Sequence, residues 1–267
     1  VGAPWLQGFD EFFGFLNQTH AHNHFPDHLF RRDRRVPLRN DLVPAGTTGA
    51  GYATRRVDYA NDLFFDEGLT FLGEARARPF FLYLALTVPH ANNERSRLLG
   101  DGQEVPDYGS YADRPWSPAT KGQAAMISRM DEGVGRVLAR LRELGLDENT
   151  LVLFSSDNGP HREGGPGYDP AFFNASGGLR GIKRDLTEGG IRVPLIARWP
   201  GRVPAGVSTA RPAYQGDLFA TFAELAGAPA PTALDSISLV PSLHGRLGDQ
   251  REHEFLYWEF YERTYRQ

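Results

Sequence analysis

No cysteine occurs among the 267 residues. That absence removes a disulfide framework, a zinc–thiolate site and a thiol nucleophile together. An excess of positive charge is also missing. The formal net charge is −4 and the pI about 6.1, so there is no global basic field and no nucleic-acid partner is expected. The short cluster Arg31, Arg32, Arg34 and Arg35 has the ordinary reading of a solvated loop. Long apolar runs are lacking as well. The longest, such as Pro79 to Pro89, fall short of the roughly 20 residues that cross a bilayer, so no membrane span is expected.

What is present suits a large folded domain: 40% of the residues are hydrophobic, enough for one large domain or a domain and a half. Apolar positions at Phe65, Leu69, Leu72 and Ala75 recur at helical spacing and predict a helix over Asp58 to Arg76, closed by Pro79. The run PFFLYLALTVPH that follows has no helical phase and reads as a central parallel strand ending at His90. A loop from Ala91 to Pro118 has the length of a lid or pocket wall. Ile127, Met130, Val134, Val137, Leu138, Leu141 and Leu144 then form one helical stripe, with Gly145 as its stop. The strand from Leu151 completes a strand, crossover helix, strand unit, which places His90 and Asp157 at the carboxyl ends of parallel strands. Beyond it, LIARWP reads as a short strand and Asp217 to Ala226 as a helix, while the closing EFLYWEFYERTYRQ has strand-like aromatic content.

Candidate chemistry gathers between Thr150 and Pro194. The apolar run Leu151 to Phe154 breaks into Ser-Ser-Asp-Asn-Gly-Pro, as a buried strand does when it delivers polar groups to a sheet edge. Asp157 and Asn158 offer a carboxylate and an amide oxygen, donors suited to a hard divalent cation, though the same residues commonly form an Asx turn. Lys183, in a glycine-rich loop, adds a positive charge that can face an anion. Earlier in the chain His20, His22, His24 and His28 form a histidine run. Neighbouring Asn23, Pro26 and Asp27 favour an irregular polar surface or pocket-lining loop there over a second metal site.

Four ordered stretches carry a family resemblance: ALTVPH at 85–90, MDEGVGRVLARLRELGLDENTLVLFSSDNGPHREGG at 130–165, LRGIKRDLTEGGIRVP at 179–194 and DLFATFAELAG at 217–227. Together they resemble the type I, formylglycine-dependent sulfatases (arylsulfatases) of the alkaline phosphatase superfamily. The resemblance implies an α/β fold with a mostly parallel sheet flanked by helices, and a sulfuric ester hydrolase that uses Ca²⁺. Asp157 and Asn158 resemble two of the calcium ligands. Lys183 resembles the lysine on the sulfate oxygens, and His90 the histidine that contacts the sulfate and helps protonate the departing alcohol. His161 and Arg180 are placed near the substrate, Glu188 and Arg192 in a structural ion pair, and Gly189 and Gly190 in the turn.

The resemblance also implies a formylglycine made from Cys or Ser in a C/S-x-P/A-x-R motif, and an Asp-Asp pair of metal carboxylates, both expected upstream of Val1. The chain is therefore expected to be truncated at both ends. Residues 1–250 would form the central to late part of the α/β domain, and 251–267 the start of an antiparallel subdomain. By itself the fragment is expected to be inactive. The partner implied is a small-molecule or glycan sulfate ester, and the compartment implied is periplasmic or secreted. A phosphoesterase of the same superfamily and a non-catalytic binder of sulfated glycans are the alternatives.

Overall fold

The computed structural model describes residues 2–229, 234–262 and 265–266. Chain order begins with a short 3-10 turn at Pro4–Leu6, β1 (Phe13–Gly14), α1 (Gln18–Ala21), β2 (His28–Arg31), β3 (Arg34–Pro37), β4 (Asp41–Pro44) and β5 (Gly51–Arg55). The helices α2 (Ala60–Ala75), α3 (Asn93–Leu99) and α4 (Pro118–Glu143) follow. Then come β6 (Val152–Ser155), α5 (Glu188–Ile191), β7 (Leu195–Arg198), α6 (Asp217–Leu225), α7 (Val240–Leu243), β8 (Tyr261–Glu262) and β9 (Tyr265–Arg266). Among the described residues no helix is long and apolar enough to cross a membrane.

Helices α2 and α4 supply the packing platform. In α2 the buried face is Ala60, Asn61, Phe64, Phe65, Gly68, Leu72 and Ala75, so Gly68 takes a buried position while Leu69 is only half-buried. The missing side chain at Gly68 matters, because a Cβ there would lie 3.0 Å from Leu84. Across the helix pair, Gly133 of α4 admits the Phe65 ring, which an added Cβ would meet at 2.2 Å. Outside this contact Arg129 of α4 donates to Asp62 at 2.7 Å, closing the pair with charge. α4 starts at Ser117, whose hydroxyl accepts from Thr120 N at 3.1 Å. Its most buried side chains are Met126, Ala119 and Leu141, whereas Ile127 of the expected stripe is 43% exposed.

The sheets differ from the expected parallel arrangement. Every ladder among the described residues is antiparallel: β1 with β2, β2 with β3, β4 with β5, β6 with β7 and β8 with β9. Pro79–His90 runs without a ladder. Its strand-like alternation survives, with Phe81 and Tyr83 exposed and Leu82 and Leu84 packed by Gly68. The reading as a central parallel strand, buried on both faces, is therefore not what these residues show: the segment is extended, one face is exposed and no strand among the described residues pairs with it. The expected βαβ unit is thus not formed among the described residues, where β6 pairs only with β7, antiparallel; Arg198 of β7 grips Asp147 after α4 through two bonds of 2.7 and 2.8 Å. Within 91–118 the expected loop carries α3, capped by Asn92 (Arg95 N to Asn92 Oδ1, 3.0 Å). Of the closing segment expected to be strand-like, β8 and β9 are the strands among the described residues, and 263, 264 and 267 lie outside them.

Candidate anion site

The end of the Pro79–His90 segment is fixed from below. Asn61 on α2 donates to Thr87 Oγ1 at 2.9 Å and accepts from Thr87 N at 3.1 Å, and the Val88–Pro89 peptide bond is cis. Two buried imidazoles then hold the last two carbonyls: His161 Nε2 donates to Pro89 O at 3.1 Å and His24 Nε2 to His90 O at 2.9 Å. These bonds fix the His161 tautomer, since its Nδ1 accepts from Glu163 N at 3.0 Å. Burial lowers the His161 pKa to about 4 and that of His24 to about 3, so both act as neutral rings near neutral pH.

The second wall is a pair of loops sewn together by backbone. Gly159 N donates to Gly190 O and Lys183 N to Pro160 O, each at 2.9 Å. Contact is too close for side chains: a Cβ on Gly159 would sit 1.9 Å from Gly189 O, and one on Gly189 2.1 Å from Gly181 O. The glycines of DNGPH and TEGGI are thus a packing requirement, which places Lys183 opposite the strand end.

At the meeting point Lys183 Nζ lies 2.7 Å from His90 Nε2. Glu163 completes the group, with its Oε2 3.2 Å from Lys183 Nζ and 2.8 Å from His90 Nε2, and its Oε1 2.6 Å from Arg184 Nη1. Burial favours the neutral acid, yet hydrogen bonds from His90 and Arg184 and the Lys183 charge outweigh it and hold Glu163 well below the usual carboxylate range. His90 Nδ1 is occupied by Ala91 O at 2.7 Å, so Nε2 is the atom at which this ring exchanges a proton. His22 stacks on His90, ring centroids 5.4 Å apart and planes 2° from parallel, and is itself held by Glu94 at 3.0 Å. Burial lowers the His22 pKa against the opposing pull of Glu94. Chemically this is an anion cradle in which a carboxylate occupies the space between a lysine, a histidine and an arginine.

Of the residues singled out from sequence, His90 and Lys183 touch, and His161 packs on His90 with centroids 5.1 Å apart. Asp157 stands exposed just past β6, and Asn158 turns its amide nitrogen to Gly159 O at 2.9 Å. Neither the Asp157 carboxylate nor Asn158 Oδ1 has a protein partner among the described residues. Two free hard oxygens at adjacent positions fit a divalent cation such as Ca²⁺. The Arg180 side chain is exposed, and among the described residues its carbonyl is engaged by Gly189 N and Thr187 Oγ1, each at 2.7 Å. Glu188 and Arg192 do pair, at 3.2 Å on the surface.

Sequence reasoning gave no role to Glu163, Arg184 or Glu94, and took the histidine run for a surface or pocket loop. His20, His24 and His28 are instead at most 1% exposed. The available signal was an acidic residue within His-Arg-Glu-Gly-Gly, beside an expected anion site. One further correction concerns the nucleophile motif, expected only outside the chain. Ser110, Ala112 and Arg114 formally meet the Ser-x-Ala-x-Arg pattern, on an exposed turn before α4.

Comparison with known proteins gives a consistent match. The Sulfatase family model covers residues 3–228. Mouse steryl-sulfatase is 37% identical over 223 residues, 82% of this chain and 32% of the relative. Dog N-acetylgalactosamine-6-sulfatase is 33% identical over 256 residues, 92% of this chain and 44% of the relative. The chain thus spans less than half the length of these relatives. Among solved structures, Ps i-CgsB in complex with k-i-k-neocarrahexaose superposes with a TM-score of 0.69 at 26% identity, over 91% of this chain and 51% of that one. BT4656 in complex with its substrate D-glucosamine-2-N,6-O-disulfate shares the fold, with a TM-score of 0.66 at 18% identity, over 97% of this chain and 63% of that one.

Proposed function

This chain belongs to the sulfatase family, and we propose that the whole protein hydrolyses a sulfate ester, of a glycan or a small molecule, with His90 and Lys183 gripping the sulfate. The observation that carries this reading is the 2.7 Å approach of Lys183 Nζ to His90 Nε2 around a bound carboxylate. A sulfate monoester presents an anionic tetrahedron whose bridging oxygen gathers charge as the S–O bond breaks. Lys183 offsets the charge on the sulfate oxygens. His90 Nε2, its other nitrogen held by Ala91 O, delivers a proton to the departing alcohol.

His161 and His24 act one layer back, by fixing the Pro89 and His90 carbonyls. Asp157 and Asn158 would hold Ca²⁺, which supplies positive charge beside the sulfate when bound. The nucleophile implied by the resemblance, a formylglycine, is not among the residues that meet at His90. Arg180, exposed on the same loop as Lys183, is assigned to the substrate's outer part.

The intact protein, assayed with paired aryl sulfate and aryl phosphate esters in calcium and after chelation, distinguishes the possibilities. Sulfate release that falls on chelation supports the reading. Preferential phosphate release would make the protein a phosphoesterase, and tight binding of sulfated sugars with no release of either anion would make it a binding module.

A further inference from the structure

The histidine run divides in the fold. His22 faces His90, whereas His20 on α1 and His28 on β2 pack against each other with ring centroids 4.5 Å apart, each 1% exposed. Their box is walled by aromatic rings: Phe15 stands edge-on to His20 at 4.8 Å and Phe30 edge-on to His28 at 5.1 Å. The β4–β5 turn closes it, because Gly49 lies so near that a Cβ there would come 2.4 Å from the His20 ring.

Inside the box one nitrogen of His28 is already committed. His28 Nδ1 donates to Asp27 Oδ1 at 2.6 Å, and Asp27 Oδ2 is held in turn by Arg35 Nη2 at 2.8 Å. The His20 ring lies beside the His28 backbone, which favours its protonated form against the larger opposing effect of burial. What is left is Nε2 of both rings, each a lone pair, each buried, and neither with a hydrogen-bond partner. Two buried acceptors facing no donor are costly to leave that way. One donor atom from each of His20, Asp27 and His28 lies within 4.8 Å of the other two.

An imidazole whose far nitrogen is free, while its near N–H rests on a carboxylate or a backbone carbonyl, has the outer-shell arrangement of a metal-ligating histidine. Paired imidazole nitrogens select Zn²⁺ or a neighbouring transition ion over the hard, oxygen-seeking Ca²⁺. We propose that His20 Nε2 and His28 Nε2 bind a Zn²⁺-class ion that ties α1 to β2, with the Asp27 carboxylate orienting the His28 ring from its Nδ1 side. This site is separate from the Asp157–Asn158 pair, and its function is to hold the base of the loop that carries His22 and His24.

The test uses the intact protein, stripped with a chelator, reloaded with zinc chloride and freed of excess metal. One equivalent of zinc per chain is expected to remain and to raise the thermal midpoint. His20→Gln and His28→Gln each lose that equivalent, Asp27→Asn weakens affinity about 10–100-fold, and Asp157→Asn leaves zinc retention unchanged. Should the histidine variants fail to fold, anomalous scattering at the zinc edge from crystals of the unsubstituted protein gives the answer directly, with a peak between the two rings. No retained zinc, a peak elsewhere, or retention unchanged in folded His20→Gln and His28→Gln overturns the proposal.

Discussion

Acidification is expected to loosen the anion site before it discharges it, and the size of the effect follows from two rings. His24 and His161 hold the carbonyls of His90 and Pro89, and burial lowers their pKa values from 6.5 to about 3 and about 4. A base whose folded pKa is lowered binds fewer protons folded than unfolded. Its contribution is therefore complete above the unfolded value and drains away as pH falls from about 6.5 toward the folded value. Between about pH 7.5 and about pH 5 each ring gives up about 2 kcal/mol, or about 4 kcal/mol together, a large part of an ordinary domain's stability.

The local reason is visible in the hydrogen bonds. His24 Nδ1 is buried with no acceptor for an added proton, and protonating His161 Nδ1 ends its bond from Glu163 N. Guanidinium unfolding midpoints measured across this range check the figure. In His24→Gln about half of the pH-dependent loss attributed to the two rings should vanish, leaving a shallower slope. A midpoint that does not move between about pH 7.5 and about pH 5, or an unchanged slope in His24→Gln, would refute the reasoning.

The same geometry makes three further predictions. Glu163→Gln removes the carboxylate that competes for Lys183, His90 and Arg184; since a hydrogen bond to a charged group is worth about 1.5–3 kcal/mol, inorganic sulfate should bind about tenfold tighter by calorimetry. Gly159→Ala drives a methyl to 1.9 Å from Gly189 O and should cost about 1–3 kcal/mol in thermal unfolding, with weaker sulfate binding because the Lys183 loop shifts. Asp157→Asn removes one ligand charge and should weaken calcium binding about tenfold or more, read by titration, while leaving the thermal midpoint of the calcium-free protein in place.

Much of this was legible in sequence where a signal was local. The α4 pattern and the Asp217 helix were readable in this way, because helical periodicity depends on near neighbours. Asp217 shows the limit of local reading: it opens α6 as expected, yet it is fully buried and also receives Ile237 N at 2.8 Å and His253 Nε2 at 2.9 Å. Pro79–His90 was legible as an extended apolar segment but not in its pairing, since a ladder is a property of two segments. Glu163 escaped for a similar reason. Its meaning comes from Lys183 and His90, 20 and 73 positions away, and no spacing rule links the three. The histidine run misled because its polar, turn-forming neighbours suggested an irregular surface or pocket-lining loop, whereas α1 and the turn after it send His22 to one side and bury His20 with His28 on the other.

The central claim is that His90 and Lys183 together hold and discharge a sulfate. Sulfate release by the intact protein, compared with Lys183→Ala, His90→Ala and the double variant, tests it most directly. Each single variant should lose activity by about a hundredfold or more, and the double variant should fall by much less than the product of the two losses, as for groups that act as a unit. Undiminished sulfate release in either single variant would contradict the account.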